Sequence, residues 1–350
     1  MKAKVSGTKK KINGTTFLLM ITILLFVVMY AAGMIVFNDK GFAKPQMFLN
    51  LFISNAGLLV IAMGETIVMI TAGIDISVGS VTALVCMVAA NQMENHGASA
   101  YTALLMALVI GLLFGLVQGF LVSYLEIQPF IVTLAGMFFG RGMTSIISTD
   151  MISIKNKTFL AWANYKIYLP IGSYSRRGKF IPAYIYPTVI IAILIFIVIA
   201  IIMKYTKFGR EVYAIGGNAQ SAMMMGLNVK KTKFKAYVLD GLLAGCGGFL
   251  FCLNSCSGFV EQAKGLEMDA ISASVIGGTL LSGGVGTPFG TVFGVLIKGT
   301  ISSLITTQGT LSSWWVRIAL SALLCFFIVL RALSCMTSVT CRCLFVFLLK

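Results

Sequence analysis

Long apolar stretches alternate with short polar breaks along almost the whole chain. The apolar stretches fall at about residues 15–37, 48–71, 75–92, 100–124, 129–148, 183–203, 236–257, 269–283, 288–307 and 312–331. As helices rising 1.5 Å per residue, stretches of about 20 residues cross a hydrocarbon layer of about 30 Å. The pattern predicts an all-α polytopic membrane protein of about ten transmembrane segments. The stretches near residue 75 and across 269–307 are rich in glycine and read as half-helices or re-entrant pieces, which survive at membrane depth only where protein or a cavity surrounds them. The first stretch, Thr15 to Phe37, is too long for the apolar core of a cleaved signal peptide and reads as a span.

Glycine spacing adds a packing rule. Gly111, Gly115 and Gly119 recur every four residues, as do Gly286, Gly290 and Gly294, and the pairs Gly136/Gly140 and Gly241/Gly245 repeat the interval. Glycines four apart share a helix face and let a second backbone approach closely. Segments 48–148 and 236–331 each hold a glycine-broken stretch followed by such helices. That resemblance between halves suggests an inverted repeat, a common transporter architecture.

Composition agrees. Of 350 residues, 58% are hydrophobic and 11% charged, against about 25% charged in soluble domains. The net charge of +16 does not point to nucleic acid, because the basic residues cluster in loops between apolar spans. The positive-inside rule accounts for them. Residues 1–14 carry Lys2, Lys4, Lys9, Lys10 and Lys11, and 204–235 carries Lys204, Lys207, Arg210, Lys230, Lys231, Lys233 and Lys235 against Glu211 alone. Both regions are expected on the cytoplasmic side, with an even number of stretches between them. One loop argues the other way: 149–184, placed outside by parity, holds Lys155, Lys157, Lys166, Arg176, Arg177 and Lys179. It is long, and charge in long loops weighs less.

The candidate chemistry is sparse. His96 is the single histidine, and the eight cysteines have no zinc-ligand spacing. Gly178-Lys179 is followed by Phe180, so no phosphate-cradling Gly-Lys-Ser/Thr loop exists. No Ser/His/Asp grouping stands out, and no cofactor is implied. The chain reads as a transport subunit, not an enzyme. Its notable charges are inside apolar stretches: Glu65, Asp75, Arg141, Asp240, Asp269, Lys298 and Arg317. A carboxylate at membrane depth costs roughly 2.5–3.5 kcal/mol on insertion scales and usually faces protein or water. Glu65, Gly73, Asp75, Ser77 and Gly79 are therefore the candidates for a solute path. A second reading has Asp75 capping a helix that begins near Ser77. Arg141, Lys298 and Arg317 are expected to snorkel from span ends, and Glu267 and Asp269 to sit at an outer edge.

The loop Phe208–Asn228 is the second candidate. Asn218 is a good N-cap, Ala219 to Met225 favour helix, and Gly226 would end it. An exposed helix with three adjacent methionines reads as a docking knob, or as an ordinary amphipathic connector.

These strings resemble the permease subunits of ribose- and galactose-type ABC sugar importers: Thr71–Ser80, Val212–Ala219 and Ile276–Thr287. Gln128–Phe139 and Gly309–Trp315 look most like the galactofuranose-type permease. The likeness runs over roughly 15–332, the transmembrane permease domain, with 204–235 as its coupling loop. It implies an importer in the bacterial inner membrane. A sugar-binding protein would deliver solute outside, a second permease subunit would complete the path, and an ATP-binding subunit would dock on Gly216, Gly217, Asn218, Ala219 and Gly226. The tail 333–350 departs from the family by ending in the apolar run Leu344–Leu349, too short to span. Related architectures also carry other small solutes such as branched-chain amino acids, and a non-transporting scaffold is the third alternative.

Overall fold

The computed structural model describes residues 14–174, 180–310, 312 and 314–337. The lysines at positions 2–11, Arg176, Arg177, Lys179 and the tail from 338 lie outside the described residues. Helices form in all ten apolar stretches: α1 (Gly14–Val36), α2 (Pro45–Ile70), α3 (Val78–Asn95), α4 (Ala100–Ser123), α5 (Pro129–Ile147), then α7, α10, α11, α12 and α13 after intervening elements. The loop after α5 contains β1 (Ile152–Ser153), α6 (Lys157–Asn164), β2 (Ile167–Tyr174) and β3 (Phe180–Ile185). β2 and β3 form an antiparallel hairpin from Ile167 opposite Ile185 to Tyr174 opposite Phe180. Then come α7 (Pro187–Tyr205), α8 (Lys207–Gly217), α9 (Ala219–Met224), α10 (Val229–Ser255), β4 (Ser257–Gly258), α11 (Leu266–Ile276), α12 (Pro288–Gln308) and α13 (Trp314–Thr337).

Seven of these, α1, α2, α4, α5, α7, α10 and α12, are long and apolar enough to cross a membrane. The short members are where glycine predicted them. α3 begins only after the extended stretch 73–77, and α11 stops at Ile276. The expected segment 269–283 ends early because Gly277 is followed by Gly278, Gly283 and Gly284, all three at positive φ, which no helix accommodates. The stretch expected at 236–257 instead starts at Val229, where the Asn228 side chain accepts from Lys231 N–H at 3.0 Å. Proline starts α2, α5, α7 and α12, a position where its missing N–H costs nothing.

α2 and α10 form the centre, running antiparallel. Gly57 faces Gly247 and Phe251, and Gly64 faces Asp240. α4 lies across α10 with Gly111 and Gly115 against Gly241 and Gly245. A Cβ on Gly111 would run into the Gly241 carbonyl, and one on Gly241 into the Gly111 carbonyl. The suspected inverted repeat is visible in the packing. Exchanging α2, α3, α4, α5 for α10, α11, α12, α13 turns several contacts among these eight helices into one another: α4 on α10 becomes α12 on α2, and α3 on α5 becomes α11 on α13, whereas the packing of α1 on α12 and of α7 on α2 has no such counterpart.

Candidate functional site

Three segments meet where α2 ends. The chain turns at Thr71 and Ala72, the latter at φ +64°, and runs back beside α2 as far as Ser77. Glu65 Oε1 accepts from Asp75 N–H at 3.3 Å, which ties the returning strand to the helix. Asp75 Oδ1 accepts from Ser77 N–H at 2.7 Å, a turn just before α3; Ser77 is the N-cap of α3 and makes no side-chain cap bond. Gln118 of α4 donates to Ser77 Oγ at 2.8 Å, and Thr133 of α5 donates to the Ile74 carbonyl at 3.2 Å. Glu65 is 0% exposed and Asp75 2%. Gly73 packs on the Tyr237 hydroxyl and Gly79 on Glu267 Oε2. The five path candidates thus share one junction, built as a buried hydrogen-bonded break in the helix.

Two of its members escaped the sequence reading. Asp240 of α10 was visible as an intramembrane acid but not as a partner of Asp75. The tertiary structure sets the Asp240 carboxyl against Gly64, beside the carboxyls of Glu65 and Asp75. Tyr237, one turn earlier, is 1% exposed beside them. No sequence signal connects residues 65, 75 and 240, because only the α2–α10 crossing does.

The coupling candidates form a second unit at the same end of the bundle. Thr206 Oγ1 accepts from Gly209 N–H at 3.2 Å and opens α8. Asn218 Oδ1 accepts from Ser221 N–H at 2.9 Å and opens α9. Met223, Met224 and Met225 are all exposed, and Gly226 closes the turn at φ +82°. Gly216 and Gly217 are the last residues of α8, and they differ. Gly217 has open space where a side chain would go, whereas Gly216 lies on the Ile70 carbonyl and Gly284 N–H. That Gly284 N–H donates to the Ile70 carbonyl at 2.8 Å, and Tyr213 of α8 donates to the Gly286 carbonyl at 2.8 Å. One side of the α8–α9 unit is therefore bare. The other is joined through backbone to the end of α2 and to the glycine loop before α12.

The cations expected to snorkel have partners instead. Lys298 pairs with Asp269 at 3.2 Å and donates to Asn55 Oδ1 at 3.4 Å. Arg141 donates to the Val260 and Gln262 carbonyls at 3.2 and 2.6 Å, and Arg317 to the Lys264 carbonyl at 3.2 Å. The two arginines hold the loop between β4 and α11 from α5 and α13. Glu267 is buried, not at an exposed edge, and its Oε1 accepts from Gly265 N–H at 3.2 Å. The loop before α11 folds over it and removes it from solvent.

A profile of the family described as branched-chain amino acid transport system / permease component matches residues 47–329. The chain is 41% identical over 315 residues to the inner membrane ABC transporter permease protein YjfF of Escherichia coli (strain K12), covering 89% of this chain and 91% of that one. It is 31% identical over 331 residues to the fructose import permease protein FruG of Bifidobacterium longum (strain NCC 2705), covering 94% and 95%. It is 35% identical over 274 residues to the ribose import permease protein RbsC of Bacillus subtilis (strain 168), covering 78% and 81%. No solved structure matches the chain. With its apolar helices, glycine-broken junction and family match over most of its length, the chain belongs to this family of ABC transporter permeases and is a multi-pass membrane transport subunit, not an enzyme.

Proposed function

We propose that the chain is the permease of an ATP-driven importer of a small sugar, with galactofuranose or a related monosaccharide as its substrate. Relatives whose names state a cargo include fructose, ribose and autoinducer 2 import permeases. Nothing in them favours an amino acid, although the family description mentions one. The galactofuranose-type strings Gln128–Phe139 and Gly309–Trp315 support the finer assignment. On this reading α8 and α9 face the cytoplasm, as does the N-terminus. An ATP-binding subunit contacts Gly217, Asn218, Ala219 and Gly226, and Gly216 passes its motion inward. An extracytoplasmic sugar-binding protein feeds the opposite side, and a second permease subunit completes the path.

The observation that carries the reading is the two-sidedness of the α8–α9 unit. Its free side presents methionines, which suit an adaptable docking surface. Its fixed side holds the Ile70 carbonyl and the Gly283–Gly286 loop. On this reading a push on α9 passes through α8 to the end of α2, and from there to the junction of Gly73, Asp75, Ser77 and Gly79 beside the proposed path.

The test is reconstitution into vesicles with an ATP-binding subunit and a sugar-binding protein of the same transport system, with labelled sugars and labelled leucine supplied outside. ATP-dependent accumulation of a sugar supports the assignment. Accumulation of leucine alone, or of nothing while the complex hydrolyses ATP in response to the binding protein, refutes it. A Gly217→Glu variant should insert normally and fail to couple, because the glutamate would stand in the open space where the partner docks.

A further inference from the structure

Glu65, Asp75, Asp240 and the Tyr237 hydroxyl form a closed acidic cluster at the α2–α10 crossing, and the transport reading, which sets Glu65 and Asp75 beside the path, gives no role to Asp240, to Tyr237 or to the pairing of the acids. The two glutamate and aspartate carboxyls of the helices are 0% exposed. Asp75 keeps two features that suit an ionised carboxylate: an N–H donor from Ser77 at 2.7 Å and the N-terminus of α3. The others lack such support. Neither oxygen of Asp240 has a donor, nor does Glu65 Oε2, and the Tyr237 hydroxyl has no partner. The groups facing the cluster are Glu65 from α2, Asp75 from the returning strand, and Asp240 and Tyr237 from α10. α4 contributes Gln118 through Ser77. No lysine, arginine or histidine among the described residues pairs with any of the three acids.

Three buried carboxylates near enough for their charges to interact cannot all be charged without a counterion, since neighbouring like charges disfavour multiple ionisation and burying unpaired ions is costly. Among the described residues no set of His, Cys, Asp and Glu side chains is arranged to hold a metal ion. A proton asks for less: it needs one donor–acceptor line, and the neighbouring Asp240 and Asp75 carboxyls offer one, Asp240 having no other partner.

We propose that the cluster is a proton-binding site, in which the Asp240 carboxyl carries a proton and donates it to Asp75, while Glu65 is held neutral through Oε2. The bound protons close the broken strand 73–77 onto α10. Their loss would set like charges against each other at the one place where Gly64 and Gly73 let the backbones approach.

Infrared difference spectroscopy of the purified full chain in lipid nanodiscs reads this without any transport assay. At neutral pH we expect a carbonyl stretch of a protonated carboxylic acid that shifts in heavy water and disappears in Asp240→Asn. That variant keeps shape and a donor, so its melting temperature should match the parent. Asp240→Ala should melt lower. A second band should be lost in Glu65→Gln. Absence of any protonated-acid band that either variant removes overturns the proposal. So does a band that sodium or potassium salts abolish, which would mean that a cation is the occupant. Because the readout is spectroscopic, failure here leaves the sugar assignment standing, and failure of transport leaves the proton site standing.

Discussion

Gly216→Ala puts the wiring of the coupling unit to a direct test, with Gly217→Ala as its neighbour and control. Alanine is the better helix former by about 1 kcal/mol, so propensity alone favours both changes. At position 217 the new methyl meets nothing within 4 Å, and stability should be unchanged or slightly raised. At position 216 it falls on the Ile70 carbonyl and the Gly284 amide, both backbone and both unable to swing aside. Overpacking of this kind costs about 1–3 kcal/mol. Separating the two strands also breaks the 2.8 Å bond from Gly284 N–H to the Ile70 carbonyl, about 1–3 kcal/mol for a buried group left unpaired. Subtracting the propensity gain leaves a net loss of about 1–5 kcal/mol. At roughly 2–4 °C per kcal/mol for mid-sized domains, the melting temperature should fall by at least a few degrees. The assay is thermal unfolding in nanodiscs beside ATP-driven uptake for the parent and both variants. Alanine at 216 should unfold early and couple poorly, and alanine at 217 should melt like the parent, any loss of uptake there arising at the partner contact and not from unfolding. If the 216 variant melts and transports like the parent, α8 is not fixed to the α2 end, and the proposed route for motion fails.

Other outcomes follow from named contacts. Asp75→Asn should fold nearly normally, because its amide oxygen can still accept from Ser77 N–H, whereas Asp75→Ala loses that bond and about 1 kcal/mol; normal uptake by both would rule Asp75 out of the path. Lys298→Met should strand the partly buried Asp269 carboxylate and lower thermal stability by about 1–2 kcal/mol, and adding Asp269→Asn should recover most of it, a double-mutant cycle being the check. The exposed Glu126–Lys230 pair at 2.8 Å lies between the α4–α5 turn and α10. The hydrogen bond from Lys230 holds the Glu126 carboxyl below its usual range. Its small contribution is therefore present above the ordinary carboxylate range and disappears as pH falls through the lowered value. Unfolding of Glu126→Gln against the parent should differ only in that upper range and at low salt, and a difference that grows on acidification would contradict the sign.

The sequence by itself determined the class and the inventory of segments. Ten apolar stretches and a sparse charge content leave helices crossing lipid as the available fold, and backbone satisfaction in a membrane makes that inference nearly local. Glycine marked broken stretches near residue 75 and across 269–307, and Asn218 with Gly226 fixed α9, since caps and positive φ are decided within a few residues. The GxxxG faces announced that helices would pack closely without saying which helix met which. Pairing was the tertiary structure's decision. Residues 65, 75 and 240 became one cluster only when α10 crossed α2, and Lys298 and Arg141 turned from expected snorkelling to ion pairing and carbonyl clamping. The two adjacent glycines 216 and 217 read alike in the chain and separate in the fold, one pressed on the α2 terminus and the other bare. Local chemistry sets caps, breaks and spans. Which buried charge faces which depends on contacts far apart in the chain, and one sequence carries no local physical signal for those.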